Sequence, residues 1–227
     1  MIAKKVPVME LVKFRRLSEK SQATFVNNLK IPKKPKSDSG DGGGNYWVRS
    51  ISCVSNAFKK NDNKLIQDKI DEVTNAYNSA KLERTRTMHK RNLEILYNYI
   101  GFDFESWWPT SNIQILANPQ LTLTIKGIPI QVIPSCIFSY EIDGEQKVGG
   151  LWFVCWLDGF KPDDLGIFSE SLFRYLSFLF EKRHTIEPKD CYIVDISTMD
   201  RSTYQELLDG KIDAMLENTI NTLNKYL

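Results

Sequence analysis

Long apolar runs are missing from this sequence. None of its segments approaches the roughly 18–20 consecutive apolar residues that a membrane-spanning helix needs. The longest, LWFVCWL at 151–157, has the length of a strand. The opening MIAKKVPVMELVKFRR shows neither a long apolar core nor a small-residue cleavage site, so a signal peptide is not expected. Histidine is scarce as well. With only His89 and His184, a Ser-His-Asp or Cys-His catalytic arrangement has few options. The four cysteines, at 53, 136, 155 and 191, stand singly inside apolar runs, with no CxxC pair. They are expected as buried, reduced thiols of a cytoplasmic protein, and no metal site or other cofactor follows from them. The glycines of SDSGDGGG (37–44) follow no strand and lack the GK[ST] ending that sets a lysine on phosphates, so they form no phosphate-binding loop.

What is present is an asymmetry of charge. The 227 residues carry a net +2, but residues 1–36 hold ten Lys/Arg against Glu10 and Glu19 alone. The rest of the chain is therefore acidic. A basic arm on an acidic body suits contact with nucleic acid or an acidic partner, or folding of the arm back onto its own body. Lys13, Arg15, Arg16, Lys33, Lys34 and Lys36 are the arm's candidate phosphate contacts.

Periodicity divides the chain into a basic, partly helical arm (1–36), a flexible Gly/Ser-rich linker (37–44) and one α+β domain (45–227). In the arm, apolar residues at 11, 14, 17, 25 and 29 form a helical stripe broken by a polar turn. Trp47, Ile51, Val54 and Phe58 mark a second helix, and a long third one is expected over 64–100, ending at Gly101. That helix is a candidate surface for a protein partner or a second copy of the chain. Its basic middle, KLERTRTMHKR, puts Arg84 and Arg91 on one face, where they can grip a phosphate backbone. His89 falls on its apolar stripe and is expected as a hydrogen-bonded core residue.

Three strands then follow: 121–125, 128–140 and 147–158, the last two joined by the Asp143-Gly144 turn. A helix opens at Pro162-Asp163-Asp164, CYIVDIS at 191–197 is a buried strand, and a helix over 212–226 closes the chain. The expectation is a helical N-terminal half followed by a mostly antiparallel four-stranded sheet flanked by helices, in the order α-β-β-β-α-β-α.

Over about residues 80–200, this order resembles the core of the restriction-endonuclease-like PD-(D/E)XK nuclease superfamily, in its RecB-like branch. IKGIPIQVIPSCIF looks like the family's second strand, KVGGLWFVCW like its third, and SLFRY like a Q-x-x-x-Y element that keeps Tyr175 but has Ser171 for the glutamine. The resemblance implies an acid on the second strand and an acid-x-lysine on the third, which together hold magnesium and position the attacking water. Here Ser135 stands in place of the first acid, and Gly150-Leu151-Trp152 offers neither carboxylate nor ammonium. Glu145-Gln146-Lys147, just past the turn, could form a displaced E-x-K with Glu94 supplying a further carboxylate.

The leading expectation is thus a non-catalytic, nuclease-like domain that binds nucleic acid or a protein partner in a DNA-processing or defence-type assembly. An active magnesium-dependent nuclease using Glu94, Ser135, Glu145, Lys147 and Tyr175 is the alternative. A purely protein-binding or oligomerising module is the third.

Overall fold

A computed structural model describes residues 4–31 and 46–227. The expected linker (37–44) and Lys33, Lys34 and Lys36 lie outside the described residues. The first segment forms β1 (Val6–Pro7), α1 (Val8–Arg15) and α2 (Glu19–Lys30). The stripe at 11, 14, 17, 25 and 29 is the inner side of these two helices, with Leu11 and Phe14 fully buried. α3 (Val48–Lys60) follows and stops at Asn61, whose left-handed backbone (φ 48°) caps the helix through its N–H.

The single helix expected over 64–100 is two: α4 (Lys64–Ser79) and α5 (Glu83–Asn98), parted by extended backbone at Ala80 and Leu82. A continuous helix would run about 55 Å. The ten-residue β6 (Glu145–Val154), at the centre of the larger sheet, spans only about 33 Å. Turning back lets both halves bury their apolar sides in one cluster, Ile66, Ile70 and Val73 beside Ile95 and Leu96. The helix pairing proposed for a partner is therefore made within the chain.

The β region is larger than expected. It comprises β2 (Gln114–Leu116), β3 (Thr122–Ile125), β4 (Ile128–Gln131), β5 (Cys136–Ile142) and β6. After α6 (Pro162–Phe180) come β7 (Thr185–Asp195), β8 (Arg201–Thr203), α7 (Tyr204–Leu208) and α8 (Leu216–Asn224). The strand expected over 128–140 breaks at Ile133-Pro134-Ser135, because Pro134 has no N–H to give a ladder. Its first half, β4, pairs with β3 and, in parallel, with β1 in a three-stranded sheet. Its second half belongs to a five-stranded sheet of order β2-β5-β6-β7-β8. In that sheet β6 is central, and it runs parallel to β7 and antiparallel to β5. The α+β class and the helical first half hold.

Alternation explains the layers. Even positions of β5 (Cys136, Phe138, Tyr140) and odd positions of β6 (Leu151, Phe153) enter the cluster under α3, α4 and α5. Their opposite-parity neighbours, Ile137, Val148 and Val154, enter the cluster under α6, α8 and the N-terminal segment. Two positions show why glycine is present. Asp143 (φ 54°) and Gly144 (φ 79°) both take the positive φ of a tight hairpin turn. A Cβ on Gly149 would sit 2.7 Å from the Asp190 carbonyl oxygen and the Phe138 ring, where β7 bulges past β6. No helix among the described residues is long and apolar enough to cross a membrane.

Residues 4–31 are as much core as arm. Val6, Leu11, Val12 and Phe14 are fully buried, and α1 packs on both α6 and α8.

Candidate functional site

The residues of the displaced E-x-K are not brought together. The β5–β6 register sets Ile142 opposite Glu145, Tyr140 opposite Lys147 and Cys136 opposite Leu151. Ser135 therefore lies at the far end of the hairpin from Lys147, about 17 Å along the strand at 3.4 Å per residue. Its hydroxyl accepts from the Phe153 N–H (3.0 Å), and its carbonyl accepts from Ser55 Oγ (3.1 Å). Lys147 pairs with Glu187 at 2.9 Å, and that hydrogen bond holds its pKa above the usual lysine value. Glu145 is exposed at the turn. Tyr175 is fully buried in the opposite cluster and donates to Asn118 Oδ1 (2.7 Å). Glu94 is elsewhere again, on α5. Among the described residues, no group of three His, Cys, Asp or Glu side chains is placed to hold a metal ion.

The arm's arginines have internal partners. Arg15 Nη1 donates to Asp164 Oδ1 (3.1 Å), and its Nη2 sits 3.6 Å from Asp163 Oδ2. Arg16 pairs with the other oxygen of Asp164, donates to the Gly159 carbonyl (3.0 Å) and lies 4.2 Å over the Trp156 ring. These two side chains pin α1 to the start of α6, as folding of the arm onto its acidic body requires. Arg84 is exposed near the start of α5. Lys13 is partly exposed beside Glu10 (2.9 Å).

Lys13 and Arg91 meet at one cleft. β6 and β7 run parallel and end together at Val154 and Asp195. Beyond them the chain diverges into Cys155-Trp156-Leu157 and Ile196-Ser197, leaving a crevice at the carboxyl ends of these two strands. One depression of about 230 Å³ is lined by Trp47, Arg91, Glu94, Asn98, Trp156 and Ser197, over Cys155 and Ile95. A second, of about 600 Å³, shares Trp47, Cys155 and Trp156 with the first and continues to Met9, Lys13, Tyr46 and Val48.

Buried polar groups set this geometry. Asn92 is fully buried; its amide donates to the Tyr46 and Met88 carbonyls (2.8 Å each), and its oxygen accepts from Ser50 N (3.1 Å) and Ser50 Oγ (2.9 Å). It thereby fixes Tyr46-Trp47 and the start of α3 against α5. Arg91 donates to the Tyr46 hydroxyl (3.2 Å), its guanidinium 5.8 Å from that ring. Asn98 Nδ2 donates to the Ser197 carbonyl (3.2 Å). Asp195, nearly buried, accepts from Ser197 N (3.0 Å) and Ser197 Oγ (2.6 Å) and so caps the end of β7.

The floor is not nucleophilic. Burial first, then the Asp195 carboxylate, pushes the Cys155 thiol up to about 12, so it stays protonated at neutral pH. The Tyr99 hydroxyl, also raised by burial and by Asp195, has no hydrogen-bond partner among the described residues. His89 is buried as expected, but its Nδ1 lacks a partner there too. Burial, then Arg49, holds its pKa below the usual value.

The sequence reading placed Trp47 on a packing stripe and Trp156 in a strand, and singled out neither Asn98 nor Ser197. A usable signal for Trp156 was the C-W-L-D-G text: an aromatic followed at once by a turn, just past a buried strand. Asn98 and Ser197 carried none, being ordinary polar residues in ordinary contexts. No family model, curated protein or solved structure matches this chain, and its function has to be argued from the chemistry of the cleft.

Proposed function

We propose that the protein is a nuclease-like module that binds nucleic acid without cutting it, the strand lying across the cleft between α1, α3, α5 and the ends of β6 and β7. One observation carries this reading. Lys13 from the N-terminal segment and Arg91 from α5 line adjoining depressions of one cleft, and the indoles of Trp47 and Trp156 line both. Cations along a groove neutralise phosphates and release counterions, while indoles take bases at little cost in sequence preference. The separation of Ser135 from Glu145 and Lys147 supports the non-cutting half. Strand scission in a DNA-processing or defence-type assembly would then fall to another component.

The test is fluorescence anisotropy of labelled oligonucleotides over a range of salt. Affinity should fall steeply with salt, and Lys13→Glu and Arg91→Glu should each weaken binding and flatten the log–log slope by about 0.7–0.9 per lost phosphate contact. Absence of binding at the lowest salt, or slopes unchanged in both variants, overturns the proposal in favour of a protein partner.

A further inference from the structure

The polar rim of the smaller depression gathers hydrogen-bond acceptors around one cation. Glu94 is exposed, and a carboxylate only accepts. Asn98 commits one of its two amide N–H groups to the Ser197 carbonyl, which leaves the other N–H and the acceptor Oδ1. Ser197 commits its hydroxyl proton to Asp195, which leaves oxygen lone pairs. Among the described residues, the one cation on this rim is Arg91. Acceptors beside an indole would by themselves suit a free cation. Arg91 in the pocket, with Lys13 in the adjoining depression and Arg16 over Trp156, opposes that. A group that is flat, carries N–H donors and trails a negative charge satisfies all of these surroundings at once.

We infer that this depression is a pocket for one unpaired, amino-bearing base, stacked on Trp47 or Trp156 with its amino edge toward Glu94 and Asn98 and its phosphate toward Arg91. The ligand is therefore single-stranded nucleic acid, an assignment that rests on the nucleic-acid reading of the cleft. A duplex hides the edges that this rim would meet, whereas a splayed-out base shows its pairing edge and both faces. Cytosine presents an exocyclic amine there. Thymine instead flanks its single N–H with two carbonyls, which would face the acceptors of the rim.

The experiment titrates the full chain at low salt with oligodeoxycytidylate, oligothymidylate of equal length and a duplex, following anisotropy and tryptophan quenching. Single strands should bind more tightly than duplex, with quenching, and cytidylate should exceed thymidylate several-fold. Glu94→Gln, an exposed substitution that leaves the core intact, should abolish that preference while thymidylate binding rises, because a carboxylate facing the phosphates is gone. If Glu94 acts only by repulsion, both strands gain equally, and the base pocket is wrong. Equal affinity for duplex and single strands, or quenching and cytidylate preference both unchanged in each of two folded variants, Trp47→Leu and Trp156→Leu, overturns it too, leaving the broader reading in place. Absence of binding by all three probes instead overturns the nucleic-acid reading itself.

Discussion

Replacing Asp164 with alanine should unlatch the N-terminal helices from the rest of the protein. Asp164 is 2% exposed and holds three partners: Arg15, Arg16 and, through its other role at the start of α6, the Lys161 N–H at 2.9 Å. Loss of the helix-start contact costs about 1 kcal/mol. Stripping one partner from a buried ion pair costs about 3–5 kcal/mol. That figure falls to about 2 here, because the Arg15 and Arg16 side chains keep 19% and 29% exposure and can turn toward water. The sum, about 3 kcal/mol, lowers a urea midpoint by about 1 M for a slope near 3 kcal/mol per M. Equilibrium unfolding followed by circular dichroism measures it. A double-mutant cycle with Arg16→Met should show coupling of about 0.5–3 kcal/mol. A single variant within about 0.5 kcal/mol of wild type, or strict additivity in the cycle, would refute the idea that these charges dock the segment.

Other outcomes follow from the interior. Tyr99→Phe removes a buried hydroxyl that has no partner among the described residues, so thermal unfolding should show a gain of up to about 1 kcal/mol rather than the usual loss. Gly149→Ala should cost about 1–3 kcal/mol by overpacking against the Asp190 backbone and the Phe138 ring, measured by the same unfolding assay. Asp190 is buried and accepts from the Tyr140 hydroxyl, and burial raises its pKa above the ordinary 3.8 despite that bond. Its neutral form therefore contributes stability that is full below the unfolded-state value and is lost as pH rises through the raised one. Asp190→Asn keeps an acceptor for Tyr140 and should flatten that decline in a pH series of melts; an unchanged slope refutes the assignment.

Much of the architecture was legible because burial leaves a local signature. Cys136–Ile142 and Val148–Val154 are largely apolar at successive positions, as strands covered on both faces are, Asp143-Gly144 supplies the two positive φ values of the turn between them, and Pro162 opens α6 where the helical period begins. The end of α3 is local too: Asn61 closes it in the left-handed backbone that asparagine tolerates. These features depend on neighbours a few residues away, so composition and spacing were enough to determine them.

Distance along the chain marks where legibility stopped. That β4 leaves the sheet of β5 and pairs instead with β1 depends on a segment more than a hundred residues earlier. That α4 and α5 are two helices depends on a cluster neither could fill alone. The charges show it most plainly. Arg15, Arg16, Lys13 and Arg91 all read as phosphate contacts, yet two are turned inward by Asp164 and two remain at the cleft. A cation's sign is written in its own residue, but its partner is whichever carboxylate, indole or open water the closed chain brings within a few ångströms. Only the tertiary structure could decide that.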